Sequence, residues 1–83
     1  MYTEVEMLAM FNRATQQIQK FENPNSYGWV LHLNQRKYTV HYIQGAGYTL
    51  IAGGKAGWGE AKRVLGRRLS TTDVLREMGL LQG

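Results

Sequence analysis

Cysteine is absent from the chain, and proline occurs once, at Pro24. Without thiols there is neither a disulfide staple nor a thiolate metal site. No apolar run approaches the roughly 18 residues of a membrane span, so no membrane partner is expected. The opening residues, Met1-Tyr2-Thr3-Glu4-Val5-Glu6, lack the basic start and apolar centre of a signal peptide. These absences suit a soluble, cytoplasmic protein. Acid is also scarce, with six Asp and Glu against ten Lys and Arg. Eighty-three residues are expected to form one small domain, 1–83. A chain of this length buries only about 60–65% of its unfolded surface, so its core is thin.

The basic excess is concentrated. Lys55, Lys62, Arg63, Arg67 and Arg68 stand in one segment against Glu60 alone, while the rest of the chain carries five residues of each sign. Such asymmetry points to a polyanionic or acidic partner.

The centre of the chain reads as three strands, Tyr27–Leu33, Tyr38–Ile43 and Tyr48–Ala52, each rich in aromatic and β-branched residues. A turn centred on Gln35-Arg36 sets Leu33 opposite Tyr38, Leu31 opposite Val40 and Trp29 opposite Tyr42. The Gln44–Gly47 loop, with glycine available for positive φ, returns the chain with Tyr42 near Tyr48 and Val40 near Leu50. One face then holds Trp29, Leu31, Leu33, Tyr38, Val40, Tyr42, Tyr48 and Leu50, as a half-buried sheet requires. The other holds Val30, His32, Thr39, His41, Ile43, Thr49 and Ile51. Either helices from the C-terminal part cover this second face, or Val30, Ile43 and Ile51 form a contact surface for a protein partner or a second copy.

Helical patterns flank the strands. Met7, Phe11, Ala14, Ile18 and Phe21 recur every three or four residues, which predicts a helix over Thr3–Glu22, opened by a Thr3/Glu6 capping box and stopped by Asn23-Pro24-Asn25-Ser26. After the glycine-rich stretch Gly53–Gly59, the spacing of Trp58, Ala61, Leu65 and Leu69 predicts a second helix, with Gly66 as a costly interior residue. Ser70-Thr71-Thr72-Asp73 offers N-caps for a short third helix ending at Gly79. The expected fold is α+β, in the order α-β-β-β-α-α.

The chemistry-bearing residues are few. Lys55, Trp58, Lys62, Arg63, Arg67 and Arg68 form the strongest candidate interface, because cations on one helix flank can bridge successive phosphates and a glycine loop at a helix start adds exposed N–H groups. Trp58, between Gly57 and Gly59, is the aromatic expected at an interface. Gly53-Gly54-Lys55 does not satisfy the P-loop spacing. His32 and His41 share a face of adjacent strands and are the weak candidates for acid–base catalysis. Two imidazoles without further ligands do not make a metal site, and no cofactor is expected.

The order helix, three antiparallel strands, helix resembles the double-stranded-RNA-binding domain, in which Gly53–Lys62 corresponds to the basic loop and Ala61-Lys62 to the start of the last helix. The chain departs from that family where Trp58-Gly59 replaces its paired lysines. The outline is also similar to the small RNase toxins of toxin–antitoxin pairs, which implies a catalytic strand histidine, His32 or His41. Neither resemblance carries a specific motif, and no family is assigned. The leading expectation is a non-enzymatic protein that binds nucleic acid or a nucleoprotein through a basic helix over 55–68. The alternatives are an inhibitor or regulator of a host protein, of the anti-defence or anti-CRISPR kind used by phages and other mobile elements, and a metal-independent RNase.

Overall fold

Thr3 opens the chain's first helix, α1 (Glu4–Ala14). Its hydroxyl accepts the Glu6 N–H at 3.1 Å, and its own N–H donates to the Glu6 carboxylate at 2.9 Å, so two orphan donors are satisfied reciprocally. Glu4 and Glu6 in the first turn and Arg13 in the last complement the helix dipole. The computed structural model describes residues 1–55 and 62–81.

The helix stops eight residues before the expected end at Glu22. Thr15 is extended, and its hydroxyl donates to the His32 carbonyl at 2.7 Å while accepting the Gln17 N–H at 3.0 Å. This hook lays the following residues against a strand as β1 (Ile18–Asn23). Ile18 and Phe21 therefore do not share a helical stripe. Three residues apart in a strand, they face opposite sides. Ile18 pairs with Leu31, on the face that receives the helices, and Phe21 pairs with Gly28 on the other.

Four more strands follow: β2 (Ser26–Leu33), β3 (Arg36–Ile43), β4 (Gly47–Lys55) and β5 (Arg63–Leu69). The five form one antiparallel meander in the order β1-β2-β3-β4-β5. Asn23-Pro24-Asn25-Ser26 is turn chemistry as expected, but it joins β1 to β2. Between β2 and β3 the turn is Asn34-Gln35, both at positive φ (53° and 64°), the signature of a tight type I′ hairpin. It pairs Leu31 with Tyr38 and Trp29 with Val40. The register is thus two residues tighter than a turn at Gln35-Arg36 would set, and a shift of two leaves every side chain on its expected face. The β3–β4 register holds as expected, with Tyr42 opposite Tyr48 and Val40 opposite Leu50.

The second expected helix is not formed over its described part. Gly53 to Lys55 continue β4, and Arg63–Leu69 is the edge strand β5; residues 56–61, including Trp58, lie outside the described residues. A spacing of four, such as Leu65 to Leu69, fits a helical turn and an even strand step equally well. Gly66 suits the strand because the Leu69 side chain lies over it: a Cβ there would stand 2.9 Å from both Leu69 methyls. The single C-terminal helix is α2 (Thr71–Glu77), capped by Ser70 and Asp73 as a second reciprocal box. It ends at Gly79 (φ 74°), where the Leu80 N–H bonds the Leu75 carbonyl and the Gly79 N–H that of Arg76, a Schellman motif. The architecture is α+β, a five-stranded meander between one N-terminal and one short C-terminal helix, and it departs from the three-stranded outline of the double-stranded-RNA-binding domain.

Both helices pack on the same side. Met7 and Phe11 from α1 and Val74, Leu75 and Met78 from α2 bury themselves against Trp29, Leu31, Leu33, Val40, Tyr48 and Leu50. The Thr71 hydroxyl donates to the Tyr2 carbonyl and the Tyr2 N–H donates to Thr72, fastening the chain's start to α2. Among the described residues no element covers the opposite face. No helix among them is long and apolar enough to cross a membrane.

Candidate nucleic-acid interface

The uncovered face is ordered in rows that run across the strands. One row joins Phe21 to Gly28, His41 and Thr49. A second joins Gln19 to Val30, Thr39, Ile51 and Val64. His32 stands opposite Lys37, and Ile43 lies towards the β3–β4 turn. Ile43 and Val64 are exposed, at 38% and 44%. The face is therefore apolar and aromatic at its middle, which a small monomer ordinarily avoids.

Two cations of the 55–68 segment, Arg67 and Arg68, sit at its border. β5 is irregular in two places. The pairs Ile51–Val64 and Leu50–Gly66 leave Leu65 as an extra residue, and Leu50–Gly66 with Tyr48–Leu69 leave both Arg67 and Arg68 opposite Thr49. Bulges of this kind spoil an edge for further strand pairing. They also set two arginines at the end of the Phe21–Thr49 row. Arg68 adopts a left-handed conformation (φ 53°) that a non-glycine residue reaches only at a cost of about 1 kcal/mol. Lys62, Arg63, Arg67 and Arg68 are exposed. Arg63 pairs with Ala52, on the helix-bearing side, so Arg63 and Arg67 are not the two ends of a helical turn. The Cα of Lys55 is opposite that of Arg36.

Acids are distributed in the opposite way. Glu4 and Glu6 belong to α1, Asp73 and Glu77 to α2, and Glu22 pairs with Tyr27 on the helix-bearing face. Among the described residues, none lies on the open face. The two ion pairs among them, Lys20–Glu22 at 3.0 Å and Asp73–Arg76 at 3.2 Å, are also away from it.

The histidines share the open face, as expected, but not one site. His41 is opposite Gly28, and His32 lies four residues further along β2, a separation of about 14 Å at ~3.4 Å per residue. Their Cα positions do not by themselves bring the two rings together. His41 instead packs edge-on against Phe21, with ring centroids 5.3 Å apart. Its Nε2 is buried and, among the described residues, has no hydrogen-bond partner.

A second cluster was not anticipated from sequence. On the helix-bearing side the Glu4 carboxylate accepts hydrogen bonds from Tyr27, at 2.8 Å, and from Tyr48. Tyr42 lies between the two rings, 5.2 Å from Tyr27 and 4.9 Å from Tyr48. Burial, and then the bond to Glu4, push the Tyr27 hydroxyl up to about 12. The same two causes raise Tyr48 further. An open cavity of about 600 Å³ beside this cluster is lined by Glu4, Lys20, Glu22, Tyr27 and Tyr42 among others, and Lys20 already stands 5.8 Å from the centroid of the Tyr27 ring. The cluster ties α1 to β2 and β4. Its signal in the sequence is faint, because Glu4 meets partners 23 and 44 residues away.

Comparison of the chain with protein-family models, with curated proteins and with solved structures gives no match. The functional reading therefore rests on the surface itself.

Proposed function

We propose that this chain is a small non-enzymatic binding protein whose partner is nucleic acid or a nucleoprotein. The observation that carries the reading is the partition of charge: every described acid lies on the helix-bearing side, and the open sheet face, which carries no acid among the described residues, is bordered by Arg67 and Arg68. The contact is made by that face and its basic edge strand rather than by a helix. Arginine at a left-handed position, where glycine costs less, supports a role for the Arg68 side chain beyond the fold. Cations so arranged neutralise phosphates without reading sequence.

The test is a fluorescence-anisotropy titration against random-sequence nucleic acids. Affinity is expected to fall at least tenfold between about 50 and 200 mM salt. Replacing both Arg67 and Arg68 by alanine should lower the salt slope by about 1.4–1.8, the loss of two phosphate contacts. No binding at low salt would sink the reading.

One observation favours a second reading, an inhibitor or regulator of a nucleoprotein of the mobile-element kind. Val30, Ile43, Ile51 and Val64 offer an apolar surface that phosphates alone do not use. That reading predicts weak affinity for free nucleic acid and a stable complex with the nucleoprotein, lost on Ile51→Glu.

A further inference from the structure

We propose that the occupant of the open face is single-stranded nucleic acid, lying across the strands along the row from Phe21 through His41 and Thr49 to Arg67 and Arg68, with bases stacked on Phe21 and His41. The inference rests on the nucleic-acid reading above and names its ligand. Four features of the row carry it.

First, the row has an aromatic end and a cationic end. Phe21 and His41 touch edge to face, and the arginines stand on the opposite edge of the sheet. Four strand spacings separate the two ends, about 19 Å at ~4.8 Å each. Aromatic platforms and a basic track are what a single strand needs, because every base has a π-face and every nucleotide a phosphate. Second, the platform is built into the backbone. Gly28 lies between Phe21 and His41, and a Cβ there would come within 2.7 Å of the Phe21 ring and 2.1 Å of the Val40 carbonyl oxygen. The missing side chain is the space that the ring occupies. Third, the Nε2 of His41 is buried and, among the described residues, has no hydrogen-bond partner. A base that shifts the Phe21 ring would bring a donor or acceptor to it, and a group of this kind otherwise lacks an explanation.

The fourth feature discriminates among occupants. A second copy would bring the same cations to the contact and, among the described residues, no acid on this face to pair with them, so charge does not favour a two-fold dimer. A duplex keeps its bases stacked inside, where side chains on a flat sheet cannot stack on them, and grooves are entered by a protruding helix, ribbon or loop. A single strand has neither obstacle.

The experiment compares labelled single-stranded DNA and RNA with duplexes of the same length, using the full chain and the variants Phe21→Leu and Thr49→Glu, each checked by thermal melting. Wild type is expected to bind the single strand at least about tenfold more tightly than the duplex. Phe21→Leu should weaken single-strand binding roughly 5- to 100-fold with its salt slope unchanged, since a lost stack releases no counterions. Thr49→Glu, which puts a carboxylate in the row, should weaken it at least about tenfold. If Phe21→Leu does not fold, Thr49→Glu and the strand-to-duplex ratio decide. Equal affinity for both polymers, or folded variants that bind like wild type, overturns this inference and leaves the broader reading standing. Absence of binding to any polymer at low salt removes both. A dimer dissociated by Thr49→Glu puts a second copy on the face and overturns the inference as well.

Discussion

Leu50 and Ile51 are neighbours in β4, yet they live in different surroundings. Leu50 is fully buried beneath the two helices, while Ile51 lies half-exposed on a face that no described element covers. The helix-bearing side of the sheet is closed by methionine, phenylalanine, leucine and valine, and its polar groups are spent on caps and on the Glu4–tyrosine cluster. The open side carries Phe21, Val30, Ile43, Ile51 and Val64 with no cover among the described residues. One side therefore accounts for the fold, and the other is the surface on which the proposed contact is placed.

The largest expected effect breaks this comparison directly. Leu50→Ala should cost about 2–5 kcal/mol, because the rigid surroundings close only partly over the lost volume. Ile51→Ala, one residue on, should cost less, since its side chain is only partly buried and the site opens to solvent. Urea denaturation of the two variants measures the difference. Equal costs would mean that the open face is covered in solution. If a second copy is the cover, the Ile51→Ala midpoint would depend on protein concentration.

The next prediction concerns the helix-bearing side. Glu4 holds two tyrosine hydroxyls, and Glu4→Gln should destabilise by about 1–3 kcal/mol, the range for hydrogen bonds to a charged group. It should also change the response to alkali. Tyr27 is raised to about 12 and Tyr48 is raised too, while tyrosines of the unfolded chain titrate near 10. The folded state thus holds these protons more tightly. Stability from them is fully present below about pH 10 and is lost as pH rises from there through 12. Denaturant midpoints across that window should fall steeply in wild type and less steeply in Glu4→Gln, where one of the two causes of the shift is weakened. Parallel slopes would assign the alkaline loss to burial alone.

The two sides also differ in how far the sequence revealed them. The helix-bearing face was legible because alternation has period two, and a turn displaced by one residue shifts the register by two, which cannot move a side chain across the sheet. The caps at Thr3 and Ser70 were legible because both of their bonds are local. The outer strands were not. Ile18 and Phe21 are three apart, a helical interval, and only the Thr15 hook to the distant His32 carbonyl turns them into opposite faces of β1. Leu65 and Leu69 are four apart, which serves both periods; Gly66 was the sign against a helix, and two bulges hid the alternation of β5. The basic segment stood out as a candidate interface from charge alone, but its geometry depended on those bulges. Phe21, read as core, belongs to the candidate site, because its pairing with Gly28 exists only once β1 is a strand.

The smallest effect on stability gives the sharpest separation of fold from function. Arg68 sits at φ 53° within a bulge, where a Cβ costs about 1 kcal/mol and glycine does not pay it. Glycine also makes the unfolded chain more flexible, which offsets about 0.5–1 kcal/mol of that relief. Arg68→Gly should therefore melt within a few degrees of wild type. Nucleic-acid affinity should nevertheless fall, and the salt slope should drop by about 0.7–0.9, the contribution of one phosphate contact. Arg68→Lys tests the alternative that the side chain merely packs: it keeps the charge and the backbone strain, so the slope should return with no gain in stability. An Arg68→Gly protein that binds with unchanged slope would place Arg68 outside the interface and leave its conformation a matter of the bulge alone.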